Sequence, residues 1–179
     1  MEQKYLTDFY NELIIKQDYF ECHEIAEDYW KSNGNFSKVD AEVFLIQIST
    51  GEYHYRRGNL TGAKKCYSKA IELLEEQHYN LDDLGLTEQT KAFLNHRLAD
   101  ILNHVPFKPP NIPLTESMLN MLYIQHGQHI EEHAFIASIY ENHVTHHNIV
   151  HKHLVRDRTS VNQAREEALR LRQKRSHHS

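Results

Sequence analysis

The sequence is short of the residues that cross-link and punctuate a chain. Its 2 cysteines, Cys22 and Cys66, cannot build a disulfide framework; two isolated thiols point to a reducing compartment. With 6 glycines and 4 prolines it is neither collagen-like nor of low complexity. No run approaches the ~18 apolar residues of a membrane span. The start, MEQKYLTDFYNELIIKQDYF, has no apolar segment between a basic flank and a small-residue cleavage site. The expectation is a cytoplasmic protein with no membrane partner. No phosphate-cradling glycine loop and no nucleophilic triad is visible. Both cysteines fall in helical pattern without an activating neighbour, so they read as inert buried thiols.

Abundant instead is histidine, 15 in 179 residues. Charge is unevenly placed. Residues 1–150 hold 12 Lys and Arg against 22 Asp and Glu, whereas residues 151–179 hold 8 against 3. The basic C-terminal helix is therefore expected to dock on an acidic protein surface or on the chain's own core. Its apolar stripe, Val161, Ala164, Ala168 and Leu171, suits helix docking. It has no interleaved aromatics, which argues against nucleic acid. Oligomerisation is left open.

The periodicity is helical throughout, so the fold class is all-α: an antiparallel helical bundle with a tetratricopeptide-like helix hairpin core and a helical C-terminal extension. Tyr5, Phe9 and Leu13 start the first stripe. Asp18 caps a second helix, YFECHEIAEDYWK. A third runs over about 40–57 and stops at Gly58. Thr61 is expected to cap a fourth, and a weaker fifth covers about 87–103. HVPFKPPNIP carries all the prolines. It divides a core domain, 1–105, from an extension, 115–179, with 106–114 as linker. In the extension, helices are expected from Thr115, over about 130–153 and over about 160–174.

One motif carries chemistry. His23 and Glu27 are four apart on a helix and share a face, a spacing that suits two ligands to one metal or an imidazole oriented by a carboxylate. Trp30 follows one turn on and is expected to be buried beside them, with Glu27 a candidate partner for its indole N–H. Glu24 adjoins the pair but lies about 100° round the helix. The motif is not the HExxH of zinc proteases, because Glu27 stands where the second imidazole belongs. The ferritin-like pattern also fails, since Glu75–His78 is its only Glu-x-x-His. On the third helix Gln47 and His54 lie seven apart on one face, and a polar group in an apolar helix needs a partner. Together these side chains suit one divalent ion, zinc, manganese or iron, with His23, Glu27 and His54 as ligands and Trp30, Gln47 and Glu24 around them. A satisfied buried His–Glu hydrogen bond explains the same spacing. The competing function is a tetratricopeptide-like interaction module without catalysis.

YFECHEIAEDYW followed by LIQISTGEYHYRRGNLTGAKK resembles the bacterial and archaeal family called domain of unknown function 309, over about residues 15–75. Its mark, His-x-x-x-Glu-x-x-Trp/Tyr, is matched by His23, Glu27 and Trp30, and the tail HKHLVRDRTSV resembles longer Firmicute-type members. The resemblance implies an all-helical fold and a mark suggested to bind metal, and supplies no substrate. Two further sets, His126/His129/His133 and His143/His147/His151, have helix-face spacing and read as polar surface.

Overall fold

The computed structural model describes residues 2–32, 34, 36–127 and 129–152. The helix expected over 160–174 and its stripe lie outside them. The described chain is an all-α bundle: α1 (Gln3–Tyr10) continued by a π-helical turn at Asn11–Ile15, α2 (Tyr19–Ser32), α3 (Ala41–Arg56), α4 (Leu60–Gln77), α5 (Thr90–Leu102), α6 (Glu116–His126), α7 (Glu132–Glu141) and α8 (His147–Val150). The only β-type pairing among the described residues is one bridge, Leu86 to Leu114.

The most extensive packing joins α3 to α4 and α2 to α3. In the α3–α4 hairpin, Gly51 meets the Tyr67 ring so closely that a Cβ there would stand 2.8 Å from it. Gly58, at φ +73°, ends α3 as expected. The next helix starts differently. Asn59, not Thr61, is the N-cap of α4, its Oδ1 accepting from the Gly62 amide at 3.0 Å. Asp18 and Thr115 do cap their helices, accepting from Glu21 N at 3.0 Å and Met118 N at 3.2 Å.

The helix expected over 130–153 is broken. Its backbone leaves the helix at Asn142, where Gln17 supplies competing partners: Gln17 Nε2 donates to Asn142 O at 2.7 Å and Val144 N donates to Gln17 Oε1 at 2.9 Å. Asn142 Nδ2 in turn donates to Ile15 O at 2.8 Å. Periodicity alone cannot register bonds from residues 125 or more positions away. The two histidine faces are corrected with it. His126 ends α6 and His133 belongs to α7, while His143 lies in the break; only His147 and His151 meet, with ring centroids 4.6 Å apart.

The core is unusually rich in tyrosine. Tyr10, Tyr19, Tyr55 and Tyr67 are all buried, and the Tyr10 and Tyr55 hydroxyls each donate to a carbonyl at 2.7 Å, of Leu84 and Val105. The described C-terminal helices lie against this body: α6 contacts α1, α7 contacts the π-helical turn, and Lys152 reaches Asp18 and Glu21 at 2.7 and 2.6 Å. No described helix is long and apolar enough to cross a membrane.

Candidate functional site

The α2 helix turns one side chain per 100°, and three of its ionisable groups converge. His23, Glu24 and Glu27 each offer a ligand atom, and these atoms lie within 4.8 Å of one another. The pairing of His23 with Glu27 is the i, i+4 relation read from the sequence. Glu24, expected as a neighbour to the side, is the third member. Its flexible side chain brings the carboxylate back, with Oε1 3.5 Å from His23 Nδ1. All three side chains are roughly a third exposed or less.

Two features of this cluster bear on its chemistry. His23 Nδ1 is buried and has no hydrogen-bond partner, so the satisfied His–Glu hydrogen bond that would explain the spacing without function is not formed. Glu27 instead accepts from Lys31 at 2.9 Å, an i, i+4 pair on the solvent side that raises the Lys31 pKa above its ordinary value.

Trp30 does not wall the cluster. Its indole Nε1 donates to Asp40 Oδ2 at 2.9 Å and to Ser37 O at 3.0 Å, and its ring packs edge-on against the exposed Phe36. It is half-buried and ties the α2–α3 connection down. The Asp40 carboxylate, occupied by Trp30 and by the Ser37 amide, makes no side-chain cap on α3. Glu27 is thus not the indole's partner. The motif reads along α2 as one unit, but its tryptophan belongs to the loop and its histidine to the helix interface.

His54 lies outside the three-residue group. It and His23 line a cavity of about 150 Å³ between α2 and α3, with Tyr19, Phe20, Thr50 and Tyr53. Gln47, two turns earlier on α3, is half-buried and outside that lining. Burial, then the Arg57 and His23 charges, push the His54 pKa down, so the ring is neutral at pH 7. Its tautomer follows from the α4 cap. Asn59 Oδ1 is taken by Gly62 N, so the amide Nδ2 faces His54 Nδ1 at 3.1 Å and donates to it. The proton of His54 is then on Nε2. Gly62 is part of this arrangement, because a Cβ there would stand 2.7 Å from Asn59 Nδ2 and 2.9 Å from the His54 ring.

A buried cluster on the other side of α3 was not singled out from the sequence. Glu52 is fully buried; Arg97 of α5 donates to it through Nε at 2.8 Å and again through a second nitrogen, and the Tyr67 hydroxyl of α4 donates to the same carboxylate. Arg97 also donates to Lys108 O at 3.1 Å and lies over the Tyr55 ring. Burial alone would lower the Arg97 pKa, but Glu52 and Tyr67 hold it above its ordinary value. Its one legible signal is an acid inside GEYHY, on a helix otherwise apolar at that face. This cluster locks α3 to α4 and α5, and its carboxylate is fully taken up by Arg97 and Tyr67. Cys22 is fully buried and its thiol is pushed well up by burial; Cys66, partly buried, is raised for the same reason.

Residues 7–66 match the sequence model of a family described as Domain of unknown function (DUF309). Over 184 aligned positions, 97% of this chain and 98% of the relative, the sequence is 29% identical to "Uncharacterized protein YpuF" of Bacillus subtilis (strain 168). No solved structure matches.

Proposed function

Through residues 7–66 this chain belongs to the domain of unknown function 309 family, and we propose that its α2 helix binds one divalent cation through His23, Glu24 and Glu27. The observation that carries the reading is the buried Nδ1 of His23, which makes no hydrogen bond and has the Glu24 carboxylate 3.5 Å away, in one group with Glu27. A buried imidazole nitrogen without a hydrogen bond is costly in a protein interior, and a cation supplies the partner. One nitrogen and two carboxylate oxygens suit zinc, manganese or ferrous iron. Donors around such an ion stand about 3–4 Å apart, so the side chains need a modest contraction from the present spacing. Three protein ligands on one helix leave positions open on the solvent side. The ion there would act as a Lewis acid or lower the pKa of a bound water. The protein's own part is to orient Nδ1 by burial against Phe20 (ring centroids 6.4 Å apart) and to free Glu27 when Lys31 swings away. The two thiols, raised in pKa and unpaired, fit a reducing cytoplasm.

The competing reading is an interaction module without chemistry, supported by the α3–α4 helix hairpin. One experiment separates the two. Tagless protein is loaded with zinc or manganese, passed through a desalting column and analysed for bound metal, beside His23→Gln and Glu27→Gln. The cation reading expects about one equivalent in the wild type, lost in both variants, with a melting temperature that falls on adding chelator. No retained metal and a chelator-indifferent melting point favour the interaction module.

A further inference from the structure

Beyond the break at Asn142 the chain is held on the end of α3 and the start of α2 by a small set of side chains. Arg56 donates through one guanidinium nitrogen to Gln17 O at 2.6 Å and through another to Ile149 O at 3.4 Å. Lys152 pairs with Asp18 and Glu21. The bond between them differs in kind: Arg57 Nε donates to His151 Nδ1 at 3.4 Å.

An arginine side chain is only a donor, and it keeps its charge. His151 accepts from it through the lone pair on Nδ1, so the contact requires a neutral imidazole whose proton is on Nε2. A proton on Nδ1 removes the acceptor and sets two cations against each other in the same place. The surroundings do not offset that charge. Arg56 and Arg57 face His151 from α3, and His147 faces it from its own turn, with ring centroids 4.6 Å apart. Burial first, then these three groups, hold the His151 pKa below its ordinary value. The rings under the two arginines, Tyr19 and Tyr53, are neutral phenols. Asp18 and Glu21, on the neighbouring end of α2, are engaged by Lys152. Nearer α7, the bonds of Gln17 to Asn142 O and Val144 N contain no group that titrates around neutrality.

We propose that residues 147–152 form a proton-operated latch, seated on α3 while His151 is neutral and released when His151 is protonated. Once released, the segment carries an ordinary imidazole, near pKa 6.5, so it takes up the proton first as pH falls. Seating is complete above about pH 6.5 and is lost as pH drops from there through the lower pKa of the seated ring. The point at which the basic sequence after Lys152 leaves the body then retreats toward Val144, whose backbone bond to Gln17 remains. The latch uses none of His23, Glu24 and Glu27 and stands apart from the cation reading.

The test is NMR of the full chain in chelator, between about pH 8 and about pH 5.5, a range that brackets histidine titration. Ring carbon shifts report the protonation of His151, and backbone order parameters report the seating of 147–152. The expected result is order parameters of about 0.85 at the high end, as in rigid backbone, falling below about 0.6 as the His151 ring titrates, while those of α2–α5 hold. His151→Gln keeps an acceptor for Arg57 that does not titrate, and is expected to stay seated throughout. His151→Lys carries a charge at every pH in the range, and is expected to be released even at the high end. Those variants also separate His151 from His54, the other imidazole beside Arg57. A segment already loose at the high end overturns the proposal. So does a wild-type segment that stays ordered after the His151 ring is protonated, a His151→Gln segment that opens at the wild-type midpoint, or a His151→Lys segment that stays seated.

Discussion

Replacing Arg97 by methionine tests the physical account of how α3 is held. In the wild type the guanidinium satisfies a carboxylate that is 0% exposed. Arg97→Met leaves Glu52 with the Tyr67 hydroxyl and no counter-charge. Removing one partner of a buried ion pair costs about 3–5 kcal/mol, because the surviving charge stays desolvated. The methionine fills part of the space, but the contacts over Tyr55, 4.8 Å from the guanidinium carbon to the ring centroid, and with Lys108 O are lost. Against a typical stability of about 5–15 kcal/mol the loss is large. For a chain of this size it lowers the melting temperature by about 6–20 °C. Urea unfolding at pH 7, followed by far-UV circular dichroism, measures it. The second arm is Glu52→Gln with Arg97→Met. The amide oxygen still accepts from Tyr67 and no buried charge remains, so the double variant is expected to be at least 1.5 kcal/mol more stable than Arg97→Met alone, about the lower end of a charge-assisted hydrogen bond. A single variant that loses less than about 1 kcal/mol, or a double variant no better than it, refutes the claim that this pair's energetics are those of a desolvated charge.

Gly51→Ala is expected to destabilise by about 1–3 kcal/mol: the new Cβ stands 2.8 Å from a Tyr67 ring that is fully buried and tied to Glu52; equal or greater stability in urea would contradict the packing. Lys152→Met is expected to change stability by no more than about 1 kcal/mol, since its pairs with Asp18 and Glu21 are partly exposed and surface ion pairs are weak; a larger loss by the same assay would make the C-terminal contact part of the core. The pH dependence follows from His54, whose folded pKa is lowered by burial, Arg57 and His23 from about 6.5. The unfolded chain then takes up its proton first as pH falls, so this contribution is full above pH 6.5 and is lost as pH drops from there through the folded pKa. Urea midpoints between pH 7.5 and 5, in chelator, are expected to fall less steeply for His54→Gln than for the wild type; identical slopes would refute the assignment.

What the sequence could reveal was set by whether the relevant physics is local. The i, i+4 pair His23–Glu27, the Asp18 and Thr115 caps and the Gly58 stop all depend on residues within a turn of one another, and each is where the pattern placed it. Glu24 stands beside the pair as expected, but its entry into the group was not legible, because angle round the helix ignores the reach of a three-carbon side chain. The Trp30 partner, Asp40, sits in the turn before α3, ten residues on, beyond any helical period. Gln17 breaking the helix at Asn142, and Arg97 meeting Glu52, are products of tertiary packing that no window along the chain contains.

The division of labour within α3 follows from the same geometry. Glu52 points to α4 and α5 and is consumed in holding the hairpin together, while Thr50, Tyr53 and His54 line the opposite side, toward α2. A helix fixed by a desolvated ion pair on one face has little freedom to collapse onto the other. A shift of α3 toward α2 that closed the space between them would draw Glu52 away from Arg97 and leave a buried charge unpaired. His23 stands at the seam, with its Nδ1 edge beside the carboxylates and its ring in the cavity wall.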